Sequence, residues 1–193
     1  DLAADFLSDG AKLMQKKEYS LAAVKFNQAK DIYKAYQPKP DFLEITPIEL
    51  GFGTSGLRDL VENMTDMECY INTRGFIEYL IALGDIKRGD TIYMAGDFRP
   101  STPRMMRAVS LAIKKSGCEA VNCGVVPTPT VSYYGIINKR ASIMVTGSHI
   151  PADRNGIKFT KRSGEILKSD EPGILENVKK ERAKDHSIGE GDS

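Results

Sequence analysis

This 193-residue chain is poor in the side chains that most often build metal centres and disulfide frameworks. It has two histidines and three cysteines. Cys69, Cys118 and Cys123 are odd in number and scattered, which fits reduced thiols rather than a disulfide scaffold. With only His149 and His186 available, a zinc site is not expected. No sign of charge prevails: 27 Lys and Arg face 26 Asp and Glu, for a net charge of +1. The electrostatic footprint of phosphate-backbone binding is therefore missing, and nucleic acid is not an expected partner. No apolar run approaches the ~20 residues of a membrane helix, so no membrane partner is expected. The first residues show no basic stretch followed by an apolar core, so no signal peptide is expected and the cytoplasm is the expected compartment. What remains is ordinary globular composition, 41% hydrophobic and 27% charged, enough for one α/β domain and a smaller piece.

The smaller piece is read at residues 1–37, as a helical hairpin over 3–36. Ala22, Phe26 and Ala29 fall on one helix face. Together with Gly10 and Tyr19 they resemble one tetratricopeptide-type unit, although the tryptophan and the terminal proline of that pattern are missing. One such unit cannot bury both of its faces, so it must lean on the chain, a protein partner or further repeats. An amphipathic hairpin with no recognition role is the other reading. Residues 38–50 are a linker, because Pro38 and Pro40 block both helix and ladder. From residue 51 the pattern alternates. Helices are expected at 70–83, from Ser101 to 116, from Pro127 to 138, and at 169–184. Strands are expected at 91–95, 119–123 and 141–145, with a hairpin of 157–160 and 165–168 and a flexible tail at 186–193. Such alternation implies an α/β fold over 51–185, a mixed, largely parallel sheet between helices, alongside the small N-terminal α-hairpin. Ligands of such sheets sit beyond the carboxyl ends of the strands. The loops at Asp97, Pro127 and Ser148 all follow strands.

The loop Val145-Thr146-Gly147-Ser148-His149-Ile150-Pro151 presents a serine at the mouth of a buried strand, which suits a hydroxyl that carries a transferable group. Ser148 and His149 are adjacent, and neighbouring side chains are expected to diverge, so they do not read as a hydrolase pair. Gly51-Phe52-Gly53-Thr54-Ser55-Gly56 matches G-x-G-x-x-G in letters, but a dinucleotide fingerprint needs a strand before it and a helix after it, and neither is expected. A polar turn whose N–H groups and Arg58 face an anion is the better reading. Arg58 and Arg99 each carry a guanidinium fork that can grip phosphate. Lys158 can bind phosphate as a point charge or act as a base if desolvated.

Taken together these loops resemble the phosphohexomutases, the phosphoglucomutase/phosphomannomutase family. The likeness rests on Phe52-Gly53-Thr54-Ser55-Gly56-Leu57-Arg58, on Gly96-Asp97-Phe98-Arg99 with Ser101-Thr102-Pro103, on Pro127-Thr128-Pro129, and on Thr146-Gly147-Ser148-His149 through Pro151 to Asn155-Gly156-Ile157-Lys158. It runs from residue 51 to about 174 and is similar to the family's first domain. The resemblance implies that Ser148 is phosphorylated in the active enzyme and exchanges its phosphoryl group with a hexose phosphate, glucose or mannose, through a bisphosphate. It implies Mg2+ bound to a phosphoserine oxygen, and hexose 1,6-bisphosphate as activator. Ser148, His149, Lys158 and Arg58 would be catalytic, with Lys158 favoured for proton transfer. Thr54, Ser55, Arg58, Arg99, His149 and Lys158 would bind substrate or phosphate.

The chain departs from the family pattern in places. Asp59 stands where a glycine is usual, and Gly147-Ser148-His149-Ile150-Pro151 where Ala-Ser-His-Asn-Pro is more common. The family's aspartate-rich magnesium loop, its sugar-specificity loop and its distal phosphate-docking loop have no counterpart. The expected partners are accordingly a hexose phosphate and either the remaining mutase domains or a protein bound by the hairpin, with little or no turnover by this chain alone. Two other readings stay open here: a non-catalytic sugar-phosphate-sensing or interaction module, and a nucleotide-dependent α/β enzyme using the glycine-rich loop.

Overall fold

The computed structural model describes residues 50–53, 56–184 and 186. The hairpin expected over 1–37, nearly all of the 38–50 linker, and the 186–193 tail apart from His186 lie outside the described residues, as do Thr54 and Ser55. The elements run β1 (Gly56–Leu60), α1 (Asp66–Ala82), β2 (Thr91–Gly96), α2 (Thr102–Lys115), β3 (Glu119–Val125), α3 (Thr128–Ile137), β4 (Ser142–Val145), β5 (Arg154–Lys161), β6 (Gly164–Glu165) and α4 (Glu171–Arg182). One mixed sheet has the order β1-β5-β4-β2-β3, with β6 also on β5. The β3-β2-β4 part is parallel. β5 runs antiparallel to β4, β1 and β6.

Alternation along the central strands separates two cores. Ile92 and Met94 of β2, with Ile143 and Val145 of β4, face a large core that includes Phe76, Leu80, Met105 and Ile174 from α1, α2 and α4. Ala95 and Met144 face the other way, onto Val131 of α3. α1 is buried on more than one side because it touches α2, α4 and the sheet. Phe159 of β5 stacks on Phe76, with centroids 4.5 Å apart, and on Phe52 at 6.2 Å.

Helix starts follow local chemistry with two informative differences, and one strand was not expected. α1 begins at Asp66, ahead of the expected 70, because the Thr65 hydroxyl accepts from Glu68 N at 3.2 Å. The Glu68 carboxylate does not complete a capping box. It is buried and receives Arg182 from α4. Ser101 precedes α2 as expected, but its hydroxyl makes no cap and accepts instead from Asn155 Nδ2 at 2.8 Å. β1 was not expected at all, since residues 56–60 have no clean alternation; it exists by pairing with β5 from Gly56↔Lys158 to Leu60↔Arg154. That strand also settles the glycine-rich letters. The chain leaves Gly56 as a strand rather than a helix, so the dinucleotide context is not met.

The last helix is held to α1 by close approach and by buried ion pairs. Arg74 Nε lies 3.1 Å from Glu181, and Tyr79 donates to Asp170 at 2.6 Å, where Lys161 Nζ also arrives at 2.7 Å. Burial, then this bond to Asp170, push the Tyr79 phenol up to about 12. His186 Nε2 donates to the Glu181 carbonyl at 2.6 Å, and its ring meets Tyr70 edge-on. A Cβ on Gly75 would lie 2.4 Å from Val178 Cγ2 and 2.7 Å from Val178 N. Gly75→Ala is therefore expected to destabilise the domain by about 1–3 kcal/mol through overpacking. Chemical denaturation checks this; an unchanged midpoint would mean that α1 and α4 are not packed this closely.

Candidate active site

Adjacency of β2 and β4 places their carboxyl ends side by side, with Asp97 N donating to Val145 O at 3.0 Å. The loop after β2 and the serine loop after β4 therefore share one patch, and a single carboxylate joins them. Asp97 accepts from Thr102 Oγ1 (2.6 Å), Arg99 N (3.0 Å), Thr146 Oγ1 (2.9 Å) and Gly147 N (3.1 Å). Burial alone would raise its pKa. The hydrogen bonds from Thr102, Arg99 N, Thr146 and Gly147 outweigh that and hold it below the ordinary value of 3.8. Thr146 Oγ1 in turn accepts from Ser148 N at 2.8 Å, and Thr102 Oγ1 from the buried Asn155 at 3.1 Å.

Ser148 leaves this framework with φ of 54°, left-handed backbone that a non-glycine residue adopts at a cost of about 1–2 kcal/mol. It is exposed, as is His149. The turn corrects the expectation that the two side chains diverge: Ser148 Oγ and His149 Nδ1 are 3.3 Å apart. Among the described residues His149 has no third group orienting it, so the pair is not built as a hydrolase triad.

Ser148 lines a cavity of about 500 Å³ together with Arg58, Thr146, Lys158 and Glu165, with Thr128, Pro129 and Ser132 of α3 on its rim. Arg58 is exposed and has no ion-pair partner among the described residues. Lys158 Nζ lies 2.6 Å from Glu165 Oε1. The sequence reading missed Glu165, although a signal was there. Glu165 pairs directly with Thr160, which makes it the diagonal neighbour of Lys158. His149 and Arg99 are not on the cavity wall.

Arg99 is placed differently from the phosphate-gripping role read for it. Its four terminal N–H groups go to the carbonyls of Ser148 (3.2 Å), Ile150 (2.6 Å), Pro151 (2.6 Å) and Arg154 (3.0 Å). Its Nε lies 3.3 Å from Asp97. No donor is left for a phosphate in this arrangement. Asp59, the carboxylate that would disfavour an anion, is absent from the cavity wall and accepts from Leu60 N at 2.7 Å and Asn63 Nδ2 at 3.2 Å.

Residues 49–185 match the sequence family described as "Phosphoglucomutase/phosphomannomutase, alpha/beta/alpha domain I". The chain belongs to this family. Among its relatives, a phosphomannomutase of Salmonella muenchen is 40% identical over 146 residues, covering 76% of this chain and 29% of the relative. A phosphomannomutase of Sinorhizobium fredii is 42% identical over 123 residues, 64% of this chain and 26% of the relative. The crystal structure of a phosphoglucomutase/phosphomannomutase family protein from Burkholderia thailandensis superposes with a TM-score of 0.58 at 26% identity, over 67% of this chain and 30% of that one. The mutase-family chain thus spans less than a third of the relatives it matches. Among the described residues no helix is long and apolar enough to cross a membrane.

A magnesium ion demands a near-octahedral set of oxygen ligands. Among the described residues no three His, Cys, Asp or Glu side chains cluster to hold a metal, and the cavity's carboxylate is paired with Lys158. These residues do not form a magnesium site by themselves.

The lowered Asp97 pKa fixes a pH dependence. Its contribution to stability is complete above about 3.8 and is lost as pH falls through the lower folded value. Asp97→Asn places an amide donor against the Thr146 hydroxyl and Gly147 N–H, and is expected to lower the melting temperature at pH 7. The difference from wild type should shrink as pH falls below about 3.8. A difference independent of pH would show that the Asp97 charge does not hold the loop.

Proposed function

We propose that Ser148 carries the transferable phosphoryl group of a phosphohexomutase and that the cavity beside it receives a hexose phosphate, of glucose or mannose. The observation that supports this reading most is the placement of an exposed serine, in left-handed backbone, on the wall of a cavity that also presents Arg58 and Lys158. A phosphoserine there would carry about −1.5 to −2 charges, and two cations from β1 and β5 face it. In the transfer step a sugar hydroxyl oxygen attacks phosphorus and loses its proton to water, the bond from phosphorus to Ser148 Oγ breaks, and Ser148 Oγ takes up a proton to become the free hydroxyl. The resulting bisphosphate returns its other phosphoryl group to Ser148, and the net change is isomerisation of hexose 1-phosphate and 6-phosphate. Lys158 is the candidate for proton transfer: its ammonium, oriented by Glu165, gives a proton to Ser148 Oγ as that oxygen leaves. Arg58 is a donor to the transferring oxygens. His149, within reach of Ser148 Oγ, steers that oxygen. A magnesium ion on the phosphoserine oxygens would need carboxylates from outside the described residues.

Phosphorylation of Ser148 is the half-reaction these residues can build. Sustained interconversion by residues 1–193 alone is expected to be slow or absent. Incubation with hexose 1,6-bisphosphate and magnesium is expected to add one phosphoryl group, seen by intact mass and mapped to Ser148, and none in Ser148→Ala. Absence of phosphate on the wild type sinks the reading. Lys158→Ala is expected to slow this transfer by about 10²–10⁴-fold; an unchanged rate would remove Lys158 from proton transfer.

A further inference from the structure

On the reading of Ser148 as the phosphoryl carrier, we propose that Arg99, braced by Asp97, is a positioning residue that holds Ser148 in its left-handed conformation and so keeps Oγ on the cavity wall. Four carbonyls, those of Ser148, Ile150, Pro151 and Arg154, converge on one guanidinium. Carbonyl dipoles aimed at one point repel each other unless a cation sits between them. The planar fork of arginine spans four acceptors that the compact ammonium of lysine cannot reach together. The Arg99 side chain is only 14% exposed, and Asp97, whose other contacts grip Thr146 and Gly147, lies against its Nε. The two residues thus hold the loop from both ends of the serine: Asp97 just before it, Arg99 on it and after it.

Gly147 shows how close this clamp sits. A Cβ there would lie 2.3 Å from Arg99 Nε and 2.4 Å from Cζ. Gly147 is thus the surface on which the guanidinium lies. Strained backbone persists at functional sites only where its surroundings over-determine it. Here the surroundings are this clamp. Arg99 touches the loop backbone and not the cavity, so its effect is on aim rather than on binding.

The test uses the whole chain with Arg99→Lys and Arg99→Ala, read in two ways. Amide hydrogen exchange follows Gly147 and Ser148 against core amides such as Ile143. Phosphorylation of Ser148 by hexose 1,6-bisphosphate with magnesium is followed by intact mass across a range of bisphosphate concentration. In Arg99→Lys, faster exchange confined to the loop is expected. The saturating phosphorylation rate should fall by about 100-fold, the scale of a misplaced reacting atom. The half-saturating concentration should stay unchanged, and free guanidinium ion should restore part of the rate to Arg99→Ala. Unchanged loop exchange in Arg99→Lys overturns the clamp. So does a raised half-saturating concentration with an unchanged saturating rate, since that would make Arg99 a phosphate grip after all. If Arg99→Ala does not fold, Arg99→Lys decides alone. If the wild type takes up no phosphate, the carrier reading falls, while the exchange still decides whether Arg99 holds the loop.

Discussion

The Asp97 carboxylate, hydrogen-bonded on both oxygens, is the interaction on which the serine loop depends. A carboxylate taken partly out of water is costly unless donors replace the water it loses. Here the donors come from four residues, Arg99 and Thr102 after β2 and Thr146 and Gly147 after β4, which ties the end of β2 to the end of β4. Gly96 permits this approach, since a Cβ there would meet Thr102 Cγ2 at 2.4 Å. The hydroxyls of Thr102 and Thr146 each donate to Asp97 and each accept from a further group, Asn155 or Ser148 N. A polar network of this kind is stabilising when every member is satisfied and costly when one is removed.

Sheet topology determines what stands opposite the serine. A wholly parallel continuation would have required a crossover back to the amino edge of the sheet before the next strand. Instead β5 returns antiparallel beside β4, with Met144 opposite Lys158, and β1 pairs on its far side with Arg58 opposite Gly156. Both cations reach the cavity that way. Gly156 lets the strands close, because a Cβ there would lie 2.5 Å from Leu57 O. On the other face of the sheet, α3 covers only a small core and gives its first turn to the cavity rim. On the opposite face α1, α2 and α4 cover the larger apolar core.

Much of the scaffold was legible in the chain. The strands near 91, 119 and 141 are apolar runs bounded by glycine or charge, and the helices after Ser101 and Pro127 begin with proline in the first turn, so their existence follows from local rules. β1 was not legible, because it is a strand only by virtue of its partner. The start of α1 lay within reach, since Thr65-Asp66-Met67-Glu68 is a capping sequence. Glu165 was likewise recoverable from hairpin register.

By itself the sequence determined an α/β domain with helices between strands, polar loops after three of those strands, and an exposed serine in one of them. Only the tertiary structure decided which charges face that serine and which hold it. Arg58 and Arg99 are the same side chain in similar polar loops, and nothing local separates them. Through-space neighbours do: Arg58 opens onto a cavity, whereas Arg99 meets four carbonyls of a loop about fifty residues away. The contact between Ser148 and His149 was also a tertiary decision. A left-handed φ at a serine is unfavourable in isolation and exists because Asp97, Thr146 and Arg99 surround it.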